Sequence, residues 1–379
     1  MTKKTFTNFK DTEIGSIPGE WGISIVGEYF DVKNGKTNTV DAIKDGIFPL
    51  FDRSTEIKSS NKYLFDSEAV IVPGEGAVFI PRFYKGKFDL HQRAYAITPK
   101  NDRNIISTKF LFYWILTHKD WLSRVAVGST VKSLRLGMLT DFPLVVIPDI
   151  NEQEKIAEMF YLLDEKIKLN LTINANLEKL ASSLFKKWFY EANKDELPKN
   201  WRIGTFGEAI ENFDSKRVPL SSRERERRAG HYPYYGATSI VDYVDDYIFD
   251  GTYVLLGEDG SVVKENGKPF TQYVSGKIWV NNHAHVLQGK NGFSTEYVKV
   301  FLDQVEINQF VTGAVQPKLN QANMNSIPMI IPDEETLRQF NKTLVVLFEM
   351  ILENEKQIRN LEQIRDFLLP RVMSGKIRI

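Results

Sequence analysis

The second half of the chain repeats the plan of the first about 184 residues later. Ile17-Pro18 and Trp21, followed by Gly27-Glu28, return as Leu197-Pro198, Trp201 and Gly207-Glu208. Tyr63-Leu64-Phe65-Asp66 returns as Tyr247-Ile248-Phe249-Asp250, Gly128 and Leu134 as Gly313 and Leu319, and Leu177-Glu178 as Leu361-Glu362. The offset drifts between 180 and 190, so insertions and deletions separate the copies. A solenoid unit would span only about 20–50 residues. The chain must instead fold as a duplicated module, a globular part followed by a long helix, twice. Two such modules make a pseudo-two-fold object that presents two similar surfaces.

A length of 379 residues also exceeds what one hydrophobic core usually organises. Lys+Arg and Asp+Glu both number 49. With no net charge, any polyanion-binding surface has to come from local segregation of charge. Cys is absent, which excludes disulfides and thiolate metal sites and fits a reducing compartment. Met1-Thr2-Lys3-Lys4 leads into polar residues with no apolar stretch behind it, and the longest apolar runs, near 142–147 and 344–352, are too short to span a bilayer. The expectation is a soluble, cytoplasmic protein.

Residues 1–16 read as a polar lead-in. From Trp21 to Pro148, short β-type runs such as 69–72 and 94–97 alternate with turn signals at Asn34-Gly35, Asp45-Gly46, Pro73-Gly74 and Lys85-Gly86. A single helix is expected over 108–125. The second copy repeats this with strands near 252–256 and 278–280 and a helix near 295–310. Each globular part is therefore α+β. The expected division is 1–150 and 197–332 for the globular domains, 151–196 for a first long helix and linker, and 333–379 for a second long helix and tail.

The runs 151–190 and 334–369 contain neither Gly nor Pro. At 1.5 Å per residue each helix would be roughly 55–60 Å long. Ile156, Leu163, Asn170, Leu177 and Leu184 fall seven apart, as do Phe340, Leu347, Asn354, Leu361 and Leu368. Met159, Ile173 and Leu180 complete the first seam, interrupted by Lys166 and Lys187. This heptad pattern predicts a coiled coil. The competing reading, each helix packed on its own globular domain, needs a broader apolar face than such a seam. Asn170 and Asn354 occupy the same central position, where a buried polar residue fixes register. The two are expected to meet near the midpoint of an antiparallel pair, with Leu163, Leu177, Leu347 and Leu361 flanking them.

Catalytic motifs fail one after another. Gly35-Lys36-Thr37 lacks the earlier glycine of a phosphate loop, since Phe30 stands there, and reads as a hairpin turn. Pro73-Gly74-Glu75-Gly76 and Gly257-Glu258-Asp259-Gly260 follow apolar strands and read as tight turns. The glycine-rich cofactor loop and the Asn/Asp-Pro-Pro-aromatic element of an adenine methyltransferase are both missing. His283 and His285 could share one face of a strand, but five His and no Cys make a metal site a poor expectation. The expected inventory is no catalytic residue and no metal.

Basic and amide side chains gather at matching places in both modules. Arg82, Lys85 and Lys87 precede Gln92 and Arg93, while Lys264 and Lys268 precede Asn281 and Asn282. Ser129, Lys132 and Arg135 lie near the end of the first globular part; Gln316, Lys318 and Asn320 lie near the end of the second. Arg217 and Arg223 belong to an arginine-rich stretch with Arg225, Arg227 and Arg228. Arg and Lys suit guanine edges and phosphates, and Asn and Gln suit adenine, so these residues are the candidate DNA-binding set. For any one of them a solvated loop is the competing reading; the repetition is the stronger signal.

Leu197-Pro198-Lys199-Asn200-Trp201, Gly128-Ser129-Thr130-Val131-Lys132-Ser133-Leu134, Ile147-Pro148 with Asn151-Glu152-Gln153-Glu154-Lys155-Ile156, Leu184-Phe185-Lys186-Lys187-Trp188-Phe189 and the ending from Leu368-Leu369-Pro370-Arg371 to Ser374-Gly375-Lys376-Ile377 occur in a telling order. In that order the chain resembles the specificity (S) subunit of type I restriction-modification systems over nearly its whole length. The resemblance implies two target-recognition domains, separated by two long antiparallel helices, each reading half of a bipartite asymmetric DNA site. The helices set the spacing and dock two modification (methyltransferase) subunits, and restriction subunits join them. The second copy departs where Asn151-Glu152-Gln153-Glu154 becomes Asp333-Glu334-Glu335-Thr336 and Val131-Lys132-Ser133 becomes Gln316-Pro317-Lys318. S-adenosylmethionine, ATP and Mg are expected in the partners and no cofactor in this chain. Two other classes remain open at this point: a stand-alone DNA-modifying enzyme with an unrecognised site, and a coiled-coil scaffold with no DNA role.

Overall fold

The computed structural model describes residues 8–100, 105–191, 196–313 and 315–379. The expectation drawn from Met1-Thr2-Lys3-Lys4 lies outside them. The described part of the lead-in is not featureless: Phe9–Thr12 pairs with Gly15–Pro18 as an antiparallel hairpin. By contacts the chain divides into two compact units, Met1–Lys168 with Ile358–Ile379, and Leu169–Gln357. The division cuts through both long helices, because each helix is buried at its two ends in different surroundings.

Each unit contains a six-stranded sheet of one topology. In the first the order is Phe30–Asn34, Ala94–Pro99, Phe65–Pro73, Arg82–Leu90, Phe48–Phe51, Lys58–Ser60. In the second it is Ile210–Asn212, Ala284–Gly289, Phe249–Gly257, Thr271–Val280, Ala229–Tyr235, Ile240–Val244. Both sheets are antiparallel except at one pair, Phe48–Phe51 on Arg82–Leu90 and Ala229–Tyr235 on Thr271–Val280. A two-stranded ladder closes each domain, Gly22–Ile25 with Pro143–Val146 and Arg202–Thr205 with Pro328–Ile331. The Lys85-Gly86 turn expected from the sequence is instead mid-strand, with Gly86 at φ 126°. Gly35 makes no hairpin turn either. Its amide donates to Ala94 O, and a Cβ there would sit 2.0 Å from Leu90 O, so glycine allows two backbones to pass.

The helix expected over 108–125 breaks at His118 into Thr108–Thr117 and Lys119–Val125. The His118 ring bonds Trp114 O and ends the first segment. The second-module helix is likewise shorter than expected, Thr295–Leu302, followed by a 3-10 turn at Asn308–Phe310.

The long helices are Ile150–Phe189 and Glu334–Met373, 40 residues each. Asp149 and Asp333 sit at equivalent starts: Asp149 accepts from Asn151 N (2.9 Å) and Asp333 from Thr336 N (3.0 Å). This alignment corrects the sequence pairing of Asn151 with Asp333 by two residues. It also makes buried Gln153 the counterpart of buried Leu337. The second helix runs through Pro370 instead of ending at 369.

Both packing modes considered for these helices occur. In the first unit Ile156, Ala157 and Phe160 join the domain core together with Leu369, Val372 and Met373. In the second, Ala181, Phe185 and Phe189 do so with Leu337, Phe340, Leu344 and Phe348. In the second unit the facing pairs run in opposite directions along the two helices. Asp164 takes Arg365 Nη1 at 2.8 Å in the first; in the second, Phe185 lies against Phe340 and Asn170 opposite Gln357. The helices are therefore antiparallel.

The seam itself differs from the sequence expectation. Its intermediate positions are Phe160, Ile167, Asn174, Ala181 and half-buried Trp188, while Leu180 is 46% exposed. Lys166 and Lys187 interrupt nothing, because both lie outside it. Nor do Asn170 and Asn354 meet. Asn170 Nδ2 donates to Gln357 Oε1 (3.3 Å), and Asn354 Nδ2 to Asn174 Oδ1 (2.8 Å), about one turn away. Asn170 is fully buried and its Oδ1 has no hydrogen-bond partner among the described residues. A buried unpaired acceptor costs about 1–3 kcal/mol. Asn170→Leu should therefore raise the urea midpoint of the second unit, by about 1 kcal/mol of stability, whereas Asn354→Leu, which strips Asn174 of its donor, should not.

Candidate nucleic-acid interface

Both sheets end in the same set of backbone hydrogen bonds. In the first unit the strand Phe65–Pro73 runs into Gly74-Glu75-Gly76. Gly74 N donates to Arg93 O (2.8 Å), Leu134 N to Gly74 O (2.8 Å) and Gly76 N to Lys132 O (3.0 Å). In the second, Glu258 N donates to His283 O (2.8 Å), Leu319 N to Glu258 O (2.9 Å) and Gly260 N to Pro317 O (3.0 Å). Segments 74–76, 91–93 and 127–134 thus converge at one sheet end, and 258–260, 281–283 and 312–319 converge at its counterpart. Gly128 and Gly313 have φ of 121° and 88°, and a Cβ on either would lie 2.2 Å from a carbonyl across the hairpin. Only glycine permits these tight loops. The frame equates Glu75 with Asp259, Arg93 with His283 and Lys132 with Pro317.

Several sequence candidates come together on this frame. Arg93 Nη1 lies 2.9 Å from both Glu75 oxygens. Arg53, which the sequence reading missed, puts its Nη1 3.0 Å from Glu75 Oε2. The Arg93 guanidinium, with Arg53 beside it, holds the Glu75 carboxyl below its ordinary range. Gln92 donates to Asn38 Oδ1, and Lys132 Nζ to Ser123 O (2.7 Å). In the second unit Gln316 Nε2 donates to Asp259 Oδ1 (2.8 Å), and Lys318 Nζ is 3.9 Å from Glu258. Ser129, Arg223 and Asn282 are exposed, and no side-chain bond engages them among the described residues.

Other candidates lie off this frame or engage neighbouring residues of the fold. Arg82 is half-buried and donates to Ser54 O, bracing the loop that carries Arg53; burial lowers its pKa. Lys85 pairs with Glu68 across the ladder (2.8 Å), and Lys87 lies over the Tyr63 ring at 4.6 Å. Lys264 sits over Phe270, whose carbonyl accepts from Gly257 N, and Lys268 Nζ donates to Asp303 O (2.6 Å). Asn281 is buried and its Oδ1 accepts from His283 N (2.8 Å), shaping the turn. Asn320 caps the helix Gln321–Asn325, and Arg135 is exposed at the start of Leu136–Thr140. The arginine-rich stretch is dispersed, with Arg225 on Asp242 (3.1 Å) and Arg228 on Asp245 (2.9 Å).

Arg217 turns inward to a buried ion-pair network. Its Nη1 donates to Glu258 Oε2 (2.7 Å) and Ala284 O (2.6 Å). His285 is fully buried, not on a shared face with exposed His283. Its two ring nitrogens lie 2.6 Å from Asp214 Oδ2 and 2.7 Å from Leu319 O. Asp214 also accepts from Val286 N and Gln321 Nε2. Burial alone would raise its carboxyl, but His285, the Val286 amide and Arg217 outweigh it and hold the group at about 2. Asp214, Glu258 and His285 lie close enough to ligate a cation. Arg217, the Val286 amide and Gln321 engage the two carboxylates, and the cluster braces the turn from behind.

The family model for the type I restriction modification DNA specificity domain matches residues 18–179 and again 198–363. The chain belongs to this DNA specificity family. Each of its modules is one copy of the family's domain. A type I restriction enzyme specificity subunit of Methanocaldococcus jannaschii is 26% identical, covering 98% of this chain and 97% of that one. A putative specificity subunit of Haemophilus influenzae is 35% identical over 37% of this chain and 35% of its own. The crystal structure of a type I restriction-modification S subunit from M. genitalium superposes with a TM-score of 0.63 at 18% identity, covering 97% and 98%. That likeness concerns the fold alone. No helix among the described residues is long and apolar enough to cross a membrane.

Proposed function

We propose that the chain is the DNA specificity subunit of a type I restriction-modification complex, with each globular domain reading one half of a bipartite, asymmetric duplex site. The carrying observation is the duplicated sheet end: one backbone frame in both modules, carrying Arg, Arg and Glu in one and Gln, His and Asp in the other. A shared frame suits the feature common to both half-sites, the sugar–phosphate backbone, and different side chains suit different bases. Continuous 40-residue helices are about 60 Å long, enough to hold two readers in register with successive major grooves about 34 Å apart. Two modification subunits dock on the helices and restriction subunits join that core in the cytoplasm. The chain itself does no chemistry: S-adenosylmethionine, ATP and Mg are bound by the partners.

Purified chain incubated with S-adenosylmethionine, Mg and unmodified DNA should leave that DNA unchanged. The same chain co-expressed with its methyltransferase should support methylation of it. Methylation or cleavage by verified partner-free protein would instead favour a self-contained enzyme.

A further inference from the structure

The two matched carboxylates hold unlike side chains in unlike ways. Glu75 is mostly buried, with 18% of its side chain exposed, and it engages Arg53 and Arg93 through Nη1 only. Each arginine side chain is 55% exposed, and no bond among the described residues engages its Nε or Nη2 hydrogens. Those two parallel donors are the edge that pairs with guanine O6 and N7. One carboxylate against two guanidiniums also leaves a local charge of +1, suited to a groove lined by phosphates. The side chains are ordered before any ligand arrives, so less rotamer entropy remains to be lost on binding. Arg82, donating to Ser54 O, steadies the Arg53 loop from behind.

At the equivalent place Asp259 takes one N–H of Gln316, leaving the amide its oxygen and its second hydrogen. That remaining acceptor–donor pair is the one that matches adenine N6 and N7. His283, 47% exposed, stands with its Nδ1 3.8 Å from Asp259.

We infer that Glu75 with Arg53 and Arg93 forms the guanine-reading head of the first module, and that Asp259 with Gln316 and His283 forms an adenine-reading head in the second. This rests on the proposed DNA-reading role of the globular domains. Glu75 and Asp259 are positioning residues, and the side chains they hold touch the bases. The first half-site therefore contains a G·C pair read by arginine, and the second an A·T pair read by Gln316.

The test uses the full chain co-expressed with its modification subunits in a host lacking other methyltransferases, with genome-wide mapping of methylated adenines. Arg93→Lys keeps the charge but not the fork. It should relax one G·C position of the half-site assigned to residues 18–148, with about ten- to hundred-fold less discrimination there and the other half unchanged. Gln316→Ala should relax an A·T position in the opposite half only. Glu75→Gln, which leaves both arginines present but unanchored, should weaken the same G·C discrimination as Arg93→Lys. Recovery of the intact complex by size-exclusion chromatography accompanies each variant, and Arg53→Lys supplies a second probe if Arg93→Lys fails to assemble. Uniformly weaker methylation with the motif unchanged would mean phosphate contact and would overturn the inference while leaving the DNA-reading role standing. A wild-type motif that is not bipartite would remove that role itself.

Discussion

Replacing Asp214 with Ala should destabilise the second unit by about 3–5 kcal/mol, the cost of breaking a buried ion pair from one side. The carboxylate is 4% exposed and satisfies His285, the Val286 amide and Gln321 at once. Its loss leaves His285 Nδ1 and a backbone N–H buried without that acceptor, and Arg217 held by Glu258 and carbonyls. Urea unfolding followed at Trp279 of the same unit checks this. Replacing both Asp214 and His285 with Leu should cost less than the sum of the single changes, because the two side chains are each other's hydrogen-bond partners and neither is then left without the other. The same group predicts acid sensitivity. Its folded pKa of about 2 lies below the ordinary 3.8, so the stability it contributes is present above about pH 4 and lost as pH falls toward 2. Acid unfolding of the second unit should lose this component in the Asp214→Asn variant. A variant that unfolds at the wild-type urea concentration would contradict the network's role.

Exchanging residues 18–148 for the corresponding segment of a relative should rewrite one half of the methylated motif completely and leave the other half unaltered. The exchanged segment holds the whole first sheet, the Gly74-Glu75-Gly76 turn and the 127–134 hairpin. It ends before the helix Ile150–Phe189, so the helical seam is retained apart from its contacts with the new domain. A buried contact at the junction is Gln153, whose Oε1 accepts from Ser107 N and whose Nε2 donates to Ile105 O and Ile147 O. The donor segment must therefore keep backbone geometry at 105–107. If both half-sites changed together, two separate readers could not be the arrangement.

The duplication, the two long helices and the matched loops could be read from the sequence because they leave periodic or repeated marks in it. The positions of Gly128, Gly313, Glu75 and Asp259 at the shared frame belong to those marks. The seam was half legible. From Ile156 a heptad can be completed three or four residues on, and the apolar Met159, Ile173 and Leu180 were the more attractive series. The buried series contains Asn174 and Ala181, whose small or amide side chains fit between closely packed helices and carry no hydropathy signal. The direction in which long basic side chains point was not legible. Arg217 and Arg93 look alike in sequence, yet one braces a buried carboxylate pair and the other stands half in solvent, because tertiary partners decide where a guanidinium goes. Arg53 lay outside every basic loop. A carboxylate repeated at both turns was the available hint that something cationic should sit beside it.

A chain of this kind supplies bipartite DNA specificity to a methyltransferase, which makes the methylated motif its readout. Single-molecule methylome sequencing of a methylation-free host, carrying the chain with its modification subunit, tests it most directly. Methylated adenines should be confined to one asymmetric motif of two unlike half-sites separated by a fixed unspecified spacer, and should be absent when the chain is omitted. Methylation at a continuous or palindromic motif, or an unchanged motif without the chain, would contradict it.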